Sequence, residues 1–233
     1  MSYFGYVQRR GQLQTYFDRT AADAWARLTS TEPVSKIRSS VRAGRDSMRA
    51  AILGFLPTDL SGLRVLDAGC GTGALSVAAA ERGADVVAID LSATLVALAK
   101  ERLPSRLNAG RIEFKLGDMS DAALGEFDHV VAMDSLIHYD CDDAIEVLAG
   151  FAGRTSRSII FTFAPRTPAL TLMHAVGRVF PRADRAPAIA PIAESRLRNR
   201  FFSEPRFRGW ALGRARLVTS GFYKSQALEL RRL

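Results

Sequence analysis

Residues 65–73 read VLDAGCGTG, where an apolar run meets an acidic residue and three glycines at alternate positions. We expect a short buried strand ending near Asp67, a tight turn through the glycines, and a helix beginning at Ala74. Glycine allows the positive φ angles of such a turn and lets a bound molecule lie against bare backbone. The first N–H groups of the helix have no partner within it. This strand, loop and helix open many doubly wound nucleotide-binding sheets.

The spacing of the glycines indicates which ligand the loop binds. A dinucleotide loop, GxGxxG, has its glycines two and then three residues apart, whereas Gly69, Gly71 and Gly73 are two and two apart. Asp67 precedes them, and a carboxylate there repels a phosphate but attracts an ammonium or sulfonium group. The D-x-G-x-G-x-G pattern resembles the first motif of class I S-adenosylmethionine-dependent methyltransferases. The resemblance implies S-adenosylmethionine as the cofactor.

Strands and helices alternate after this loop, which indicates a parallel sheet with helices on both faces. The predicted strands are residues 63–67, 85–90, 111–116, 127–133 and 157–163, with helices at 91–103 and 140–151. Before them we expect helices at 12–28 and from Val34 to just before Pro57, and after them a hairpin of strands at 209–216 and 221–230. The predicted fold class is α/β, a Rossmann-like doubly wound sheet, mostly parallel with its last strand antiparallel.

The whole chain of 233 residues is expected to form one methyltransferase domain. Residues 1–56 form an N-terminal helical arm, 57–163 the cofactor-binding core, 164–208 a substrate lid inserted after strand five, and 209–233 the C-terminal hairpin. The lid segment contains six prolines and two predicted helices, 167–179 and 193–202. A long connection of this kind is more often a binding element than a plain linker.

Acidic residues follow three successive predicted strands, where ligands of such sheets bind. Asp90 is suited to accept hydrogen bonds from ribose hydroxyls, and Asp118 from the adenine amino group, while Met119 covers the ring. Met133 is expected beside the methionine part. Taken alone, each acid has the alternative role of a helix cap or a solvated turn. The predicted cofactor-binding residues are Asp67, Gly69, Cys70, Gly71, Asp90, Leu91, Asp118, Met119 and Met133.

Composition narrows the class of protein. Hydrophobic residues make up 48% of the chain, yet no apolar run reaches the roughly 18 to 20 residues of a membrane span. The N-terminus lacks an apolar signal core, so no secretion is expected, and Cys70 and Cys141 are predicted to be free thiols. The net charge is +8, with seven arginines in residues 196–216. Nucleic acid, an anionic lipid surface, an acidic small molecule and plain solvated surface all remain explanations.

A closer resemblance comes from the segment after the fourth predicted strand, MDSLIHY over residues 133–139. It lacks the Asn/Asp-Pro-Pro-aromatic motif typical of methyltransferases that act on nitrogen. The same resemblance extends to other segments: Tyr16-Phe17 and Trp25, the FAPRT segment at 163–167, and the residue pairs at 180–181, 209–210 and 222–223. Over nearly its whole length the chain resembles the magnesium-protoporphyrin IX O-methyltransferases of bacteriochlorophyll and chlorophyll synthesis.

The resemblance implies methyl transfer to one propionate of Mg-protoporphyrin IX. Two residues are implied to be catalytic: His138, to orient the carboxylate or take a proton, and Tyr16, to donate a hydrogen bond to it as the arm closes. A capping histidine and a packing aromatic are the alternatives. A wide apolar slot with an arginine at its rim would come from Arg166, Met173 and Phe180. The magnesium belongs to the substrate, so no metal site is expected on the protein.

Partners and location follow from the same resemblance. Magnesium chelatase is a candidate partner, and the expected location is the cytoplasm, with peripheral attachment to the inner photosynthetic membrane through basic and aromatic surface. Two other functions stay open: a different small-molecule methyltransferase, such as a quinone methyltransferase, and a nucleic-acid-binding protein on a methyltransferase-like sheet. Because the arginine-rich segment lacks the aromatic platforms of RNA-binding motifs, no nucleic acid is expected.

Overall fold

The computed structural model describes residues 3–20, 29, 35–107, 109–166 and 189–233. Its strands are β1 Arg64–Ala68, β2 Asp85–Asp90, β3 Arg111–Leu116, β4 Phe127–Ala132, β5 Thr155–Phe163, β6 Trp210–Ser220 and β7 Tyr223–Arg232. Its α-helices are α1 Tyr3–Thr15, α2 Lys36–Phe55, α3 Ala74–Glu81, α4 Ala93–Glu101, α5 Cys141–Ala152 and α6 Glu194–Ser203. A π-helical turn, Tyr16–Thr20, follows α1, and short 3-10 turns cover Ala122–Leu124, Leu136–His138 and Pro205–Phe207.

All seven strands form one sheet in the order β3-β2-β1-β4-β5-β7-β6. The pairings among β1 to β5 are parallel, and β7 lies antiparallel between β5 and β6. The order reverses at β1, so the carboxyl ends of β1 and β4 flank the point where ligands bind in doubly wound sheets. The predicted fold class, with its closing hairpin, is confirmed.

The predicted strands agree with the observed ones to within two residues up to β5. In the hairpin, β6 is longer than predicted, and β7 has the predicted length but lies two residues further along the chain. Helix starts follow local capping: Ser35, Ser92 and Asp140 each accept a hydrogen bond from a backbone N–H of the first turn. The prediction was wrong at the N-terminus, where α1 begins at Tyr3 rather than near residue 12. The predicted helix at 167–179 and Trp25 lie outside the described residues.

Two apolar layers cover the faces of the sheet. On one face, buried strand residues such as Val130 and Phe161 pack against α5 and α6. On the other face, Val131 and Ile160 pack against α2 and α3 through Met48 and other buried side chains. Strand residues alternate between the two layers as the pleat requires, and both faces are buried, which explains the near-continuous apolar strands in the sequence.

Ion pairs within the fold use much of the arginine-rich segment at 196–216. Arg196 and Arg200 both contact Asp142 on α5, and Arg206 binds Glu146 in a two-bond contact, with N···O distances of 2.7 and 2.6 Å. Arg214 binds Glu229, whose side chain is buried. These arginines attach α6 and β6 to their neighbours, so structure accounts for a large part of the charge cluster.

One close contact between α2 and the hairpin is made by a glycine of the helix. A Cβ added at Gly44 would lie 2.5 Å from Cδ1 of Tyr223, so the helix can approach β7 this closely only without a side chain there. A Cβ added at Gly54, in the last turn of the same helix, would meet no neighbouring group within 4 Å. Gly44 and Gly54 therefore allow the same substitution to be compared at a packed and an open position of one helix.

Gly44→Ala is expected to lower the free energy of unfolding by about 1–3 kcal/mol, because overpacking displaces the Tyr223 ring. Gly54→Ala is expected to leave it unchanged or raise it by up to about 1 kcal/mol, as alanine favours the helix. Urea denaturation of both variants tests this. Equal effects at the two positions would contradict the close packing of α2 on β7.

Candidate active site

A cleft opens at the carboxyl ends of β1 to β4, with about 720 Å³ of empty space when the adjoining open solvent is included. Seven of the nine predicted cofactor-binding residues line it: Gly69, Gly71, Asp90, Leu91, Asp118, Met119 and Met133. The other two, Asp67 and Cys70, line an adjoining cavity that shares Gly69 and Met133 with the cleft.

The glycine loop has the backbone that its sequence predicts. Gly69, Gly71 and Gly73 have φ angles of 81°, 54° and 78°, in the left-handed region that side chains disfavour. A Cβ at Gly69 would also lie 2.4 Å from Cβ of Ser135, so the loop and the end of β4 touch across the base of the cleft. Both the turn and this close approach require glycine.

Asp90 holds the loop from the end of β2. One carboxylate oxygen accepts the Gly71 N–H at 2.8 Å and the other accepts the Ser92 N–H at 2.9 Å. Burial raises the pKa of Asp90, against the effect of these hydrogen bonds. Each carboxylate oxygen can accept more than one hydrogen bond, so the group can still receive a pair of hydroxyls from the cleft.

Asp67 is the most deeply buried acid of the loop, 2% exposed, and accepts a hydrogen bond from Ser76 Oγ at 2.5 Å. Burial raises its pKa to about 7; Ser76 opposes the shift, and the negative charge of Asp90 adds to it. A cation placed beside this pair of acids would relieve both the desolvation and the repulsion. The geometry therefore fits a positively charged ligand, as the sequence predicts.

Residues 3–20, the part of the predicted arm that is called the arm from here on, cover the side of the cleft at Asp118. Arg10 donates to Asp118 with an N···O distance of 2.6 Å, and Asp18 accepts a hydrogen bond from Ser92 Oγ at 2.6 Å. Leu13 is buried in the core cluster and also lines the cleft. The sequence identified Asp118 but missed its arginine partner, because nothing in the pattern of α1 shows which side chain faces the sheet.

A polar network at the end of β4 was also missed. Asp134 has a φ of 55°, the single positive value among the described residues other than glycine. Its carboxylate accepts hydrogen bonds from Arg45 at 2.7 Å and from the Tyr223 hydroxyl at 3.0 Å. Burial, followed by the charge of Asp134, raises the pKa of Tyr223. The network was missed because its members are far apart in the sequence.

Arginines line the adjoining cavity on the side of α2. Arg42, Arg45 and Arg49 recur at helical spacing and face the cavity whose far wall is formed by the glycine loop. Arg45 lines both the adjoining cavity and the cleft. Arg45 pairs with Asp134, and Arg49 pairs with Asp46, which lines the same cavity. Arginine side chains next to the loop can still bind the carboxylate end of an amino-acid ligand or an acidic acceptor.

The predicted catalytic and substrate residues fall in different places. His138 lines the cleft, and its ring lies against Phe17 of the arm, with centroids 6.1 Å apart. Tyr16 contacts Phe17 edge-on at 5.2 Å, and Phe17, rather than Tyr16, lines the cleft. The side chain of Arg166 is exposed and does not line it. Met173 and Phe180 lie outside the described residues. The roles of these residues stay predictions.

These residues fit S-adenosylmethionine: carboxylates at the ends of β2 and β3 suit its ribose and adenine, and buried acids at the glycine loop suit its positive charge. The sheet order, the loop and this cleft together define a class I S-adenosylmethionine-dependent methyltransferase. A general methyltransferase-domain model matches residues 65–155, and a model described as "magnesium-protoporphyrin IX methyltransferase C-terminus" matches residues 132–232.

Similar proteins define the family. The chain is 49% identical to the magnesium-protoporphyrin O-methyltransferase of Rhodobacter capsulatus, covering 97% of this chain and 98% of that protein. The crystal structure of magnesium protoporphyrin IX methyltransferase from Synechocystis PCC 6803 with bound SAH is 29% identical, with a TM-score of 0.81, and covers 96% of this chain and 100% of that one. A ubiquinone biosynthesis O-methyltransferase of Xanthomonas oryzae is 35% identical over only 53% of this chain. The chain belongs to the magnesium-protoporphyrin O-methyltransferase family.

Asp67→Asn is expected to stabilise the fold at pH 8 and to weaken cofactor binding. Wild-type Asp67, with its pKa near 7, is ionised in the fold at pH 8 at a cost of about 1–4 kcal/mol, because each unit of pKa shift is worth about 1.4 kcal/mol. The stability gain should shrink as the pH falls from 7 and vanish near 4, where both the folded and unfolded acids are protonated.

The same substitution should lower the affinity for S-adenosylmethionine about tenfold at pH 8, since it removes a charge that attracts the cation. Wild-type affinity should fall as the pH falls through 7. Calorimetric titration and thermal melts across this range measure both effects, with Asp59→Asn, at an exposed acid, as the control. A variant that binds as tightly as the wild type would contradict the role of Asp67.

Arg10→Gln is expected to loosen the arm. Removing its ion pair with Asp118 should speed amide exchange within residues 3–20 roughly fivefold, the equivalent of about 1 kcal/mol for a partly exposed pair. Hydrogen exchange read by mass spectrometry measures the change. Arg9→Gln, the neighbouring arginine on α1, serves as the control and should leave the exchange rate unaltered.

Proposed function

We propose that the protein transfers a methyl group from S-adenosylmethionine to a propionate carboxylate of Mg-protoporphyrin IX, giving the monomethyl ester. The observation that carries this proposal is the 49% identity to a magnesium-protoporphyrin O-methyltransferase over 97% of the chain. The identity includes both the cofactor half and the C-terminal half, in contrast to the likeness to ubiquinone enzymes, which covers about half of the chain.

The acceptor needs little chemical activation. A propionate is ionised at pH 7 and is already a nucleophile, while S-adenosylmethionine supplies an electrophilic methyl group on a positively charged sulfur. The protein's contribution is to remove water from the carboxylate and to hold it in line. Leu13, Phe17, Met119 and Met133 supply the apolar walls of the cleft that this requires.

His138 is the proposed positioning group for the carboxylate. It follows β4 in the Leu136–His138 turn, so its ring lies at the carboxyl end of the sheet, in the wall of the cleft. An imidazole N–H is suited to donate a hydrogen bond to an acceptor carboxylate. Tyr16 is the second proposed catalytic residue; its edge contact with Phe17 puts it one side chain away from the His138 ring.

The substrate slot is proposed to include Arg166, Met173 and Phe180. The contacts that support this proposal lie at the two ends of segment 167–188. The Arg166 N–H donates to the Ile192 carbonyl at 2.9 Å, so the chain leaves and returns at one place. The Ala190 N–H donates to the Ile137 carbonyl at 2.8 Å, beside His138. The described residues on either side of the segment therefore lie close to each other and to the turn that holds His138.

Partners and location follow from the substrate. A porphyrin that already carries magnesium must come from a metal-inserting enzyme, so magnesium chelatase is the proposed supplier. The proposed location is the cytoplasm, with peripheral contact to the photosynthetic membrane. Among the described residues, the structure contains no helix with the length and apolar character needed to cross a membrane.

The proposed activity is tested by mixing the protein with S-adenosylmethionine and Mg-protoporphyrin IX and looking for the monoester by mass. A quinone acceptor in a parallel reaction tests the alternative substrate class. We expect a product whose mass is higher by one methylene, from the porphyrin alone. Cofactor binding without porphyrin methylation would reject the substrate and keep the methyltransferase class.

His138→Ala is expected to lower kcat by roughly 100-fold, because the acceptor carboxylate loses the group that holds it in line, with little change in the Kd for the cofactor. His138→Gln, which keeps a hydrogen-bond donor, should recover part of the loss. Steady-state rates and calorimetric titration separate the two quantities. Turnover near that of the wild type in His138→Ala would remove this residue from the catalytic assignment.

A further inference from the structure

Two apolar side chains stand exposed at the tip where α2 meets the turn between β6 and β7. Ile37 is 55% exposed and Phe222 is 61% exposed. The two elements touch here, since a Cβ at Gly221 would lie 2.4 Å from Ser40 Oγ. Ile37 shares its helix face with Val41, Gly44 and Met48, which pack on the sheet. The apolar stripe of α2 therefore continues past the end of the sheet.

Cations flank the two exposed apolar side chains. Lys36 and Arg38 are the exposed neighbours of Ile37 on α2, and Lys224 follows Phe222 by two residues. Residues 36–45 and 214–228, the start of α2 and most of the hairpin, contain no acid. Arg45 and Arg214 in these stretches pair with Asp134 and Glu229. Exposed apolar residues within a basic field suit an anionic lipid surface.

The tip lies at the same edge of the sheet as the cleft. Tyr223, next to Phe222, donates a hydrogen bond to Asp134, which lines the cleft. β7 starts at this edge because it runs antiparallel to β5, whose carboxyl end lies here. A membrane that received Ile37 and Phe222 would therefore face the edge at which the sheet binds its ligands.

We propose that the tip formed by Ile37 and Phe222, with Lys36 and Arg38 beside Ile37, is a membrane-docking surface for anionic lipid. Both apolar side chains enter the boundary between head groups and acyl chains, and the cations contact lipid phosphates. This surface is where the proposed peripheral contact with the membrane would form. Lipid binding by the surface is independent of the proposed function, and only the connection to an apolar porphyrin substrate rests on it. An acidic protein partner is the competing occupant.

Vesicle sedimentation of the full chain tests the proposal without any substrate. We expect binding to vesicles of equal parts phosphatidylglycerol and phosphatidylcholine, weak binding to phosphatidylcholine alone, and loss of binding as salt rises. The double variant Ile37→Ser/Phe222→Ser should lower the partition coefficient about tenfold or more. Lys36→Gln/Arg38→Gln should lower it for the anionic vesicles and leave the weak binding to neutral ones unchanged.

Phe202→Ser is the matched control. Phe202 is 74% exposed on α6, which packs on the opposite face of the sheet from α2, so its loss should leave vesicle binding unaltered. Methylation of detergent-solubilised porphyrin by the double variant should match that of the wild type, and this assay separates docking from catalysis. Failure of the wild type to bind anionic vesicles, unchanged binding by the double variant, or an equal loss in Phe202→Ser would each overturn the proposal.

Discussion

The buried carboxylate of Asp134 is the contact on which the site depends. It accepts hydrogen bonds from Arg45 on α2 and from Tyr223 and Ser225 on β7, while its own N–H donates to Thr162 on β5. The φ of 55° at Asp134 is costly for a residue with a side chain and persists because these contacts fix it. This one carboxylate therefore fixes α2, the hairpin and the end of β4 relative to one another. Ser135 and His138, which follow β4, are positioned by the same contacts.

The buried negative charges at the glycine loop destabilise the fold. Asp67 and Asp90 are both buried, and burial raises both pKa values. An apolar pair would make a more stable core. Asp90 also holds the loop by accepting the Gly71 N–H, and a cation beside the two acids would offset the free-energy cost of burying their charges. The arm stabilises the fold instead, because Arg10 on the arm forms an ion pair with the acid Asp118.

Local features were predictable from the sequence, and contacts distant in sequence were not. Strand alternation, the glycine loop and the acids Asp90 and Asp118 follow from spacing along the chain, which fixes where each strand ends. Arg10 and Arg45 left no such signal, since an arginine on a helix gives no sign of which acid it will meet across the fold. The start of α1 was missed because Tyr3–Thr15 has a weak apolar pattern, and packing of Leu13 and Phe17 on the cleft supports the helix instead.

Access to the cleft is limited from one side by the arm, and Ala190, whose N–H donates to the Ile137 carbonyl, lies beside the turn that holds His138. The tip of Ile37 and Phe222 projects at the same edge of the sheet and is held by the packing of Gly44 on Tyr223. Because Tyr223 also contacts Asp134, it links the surface proposed to meet lipid to the wall of the cleft.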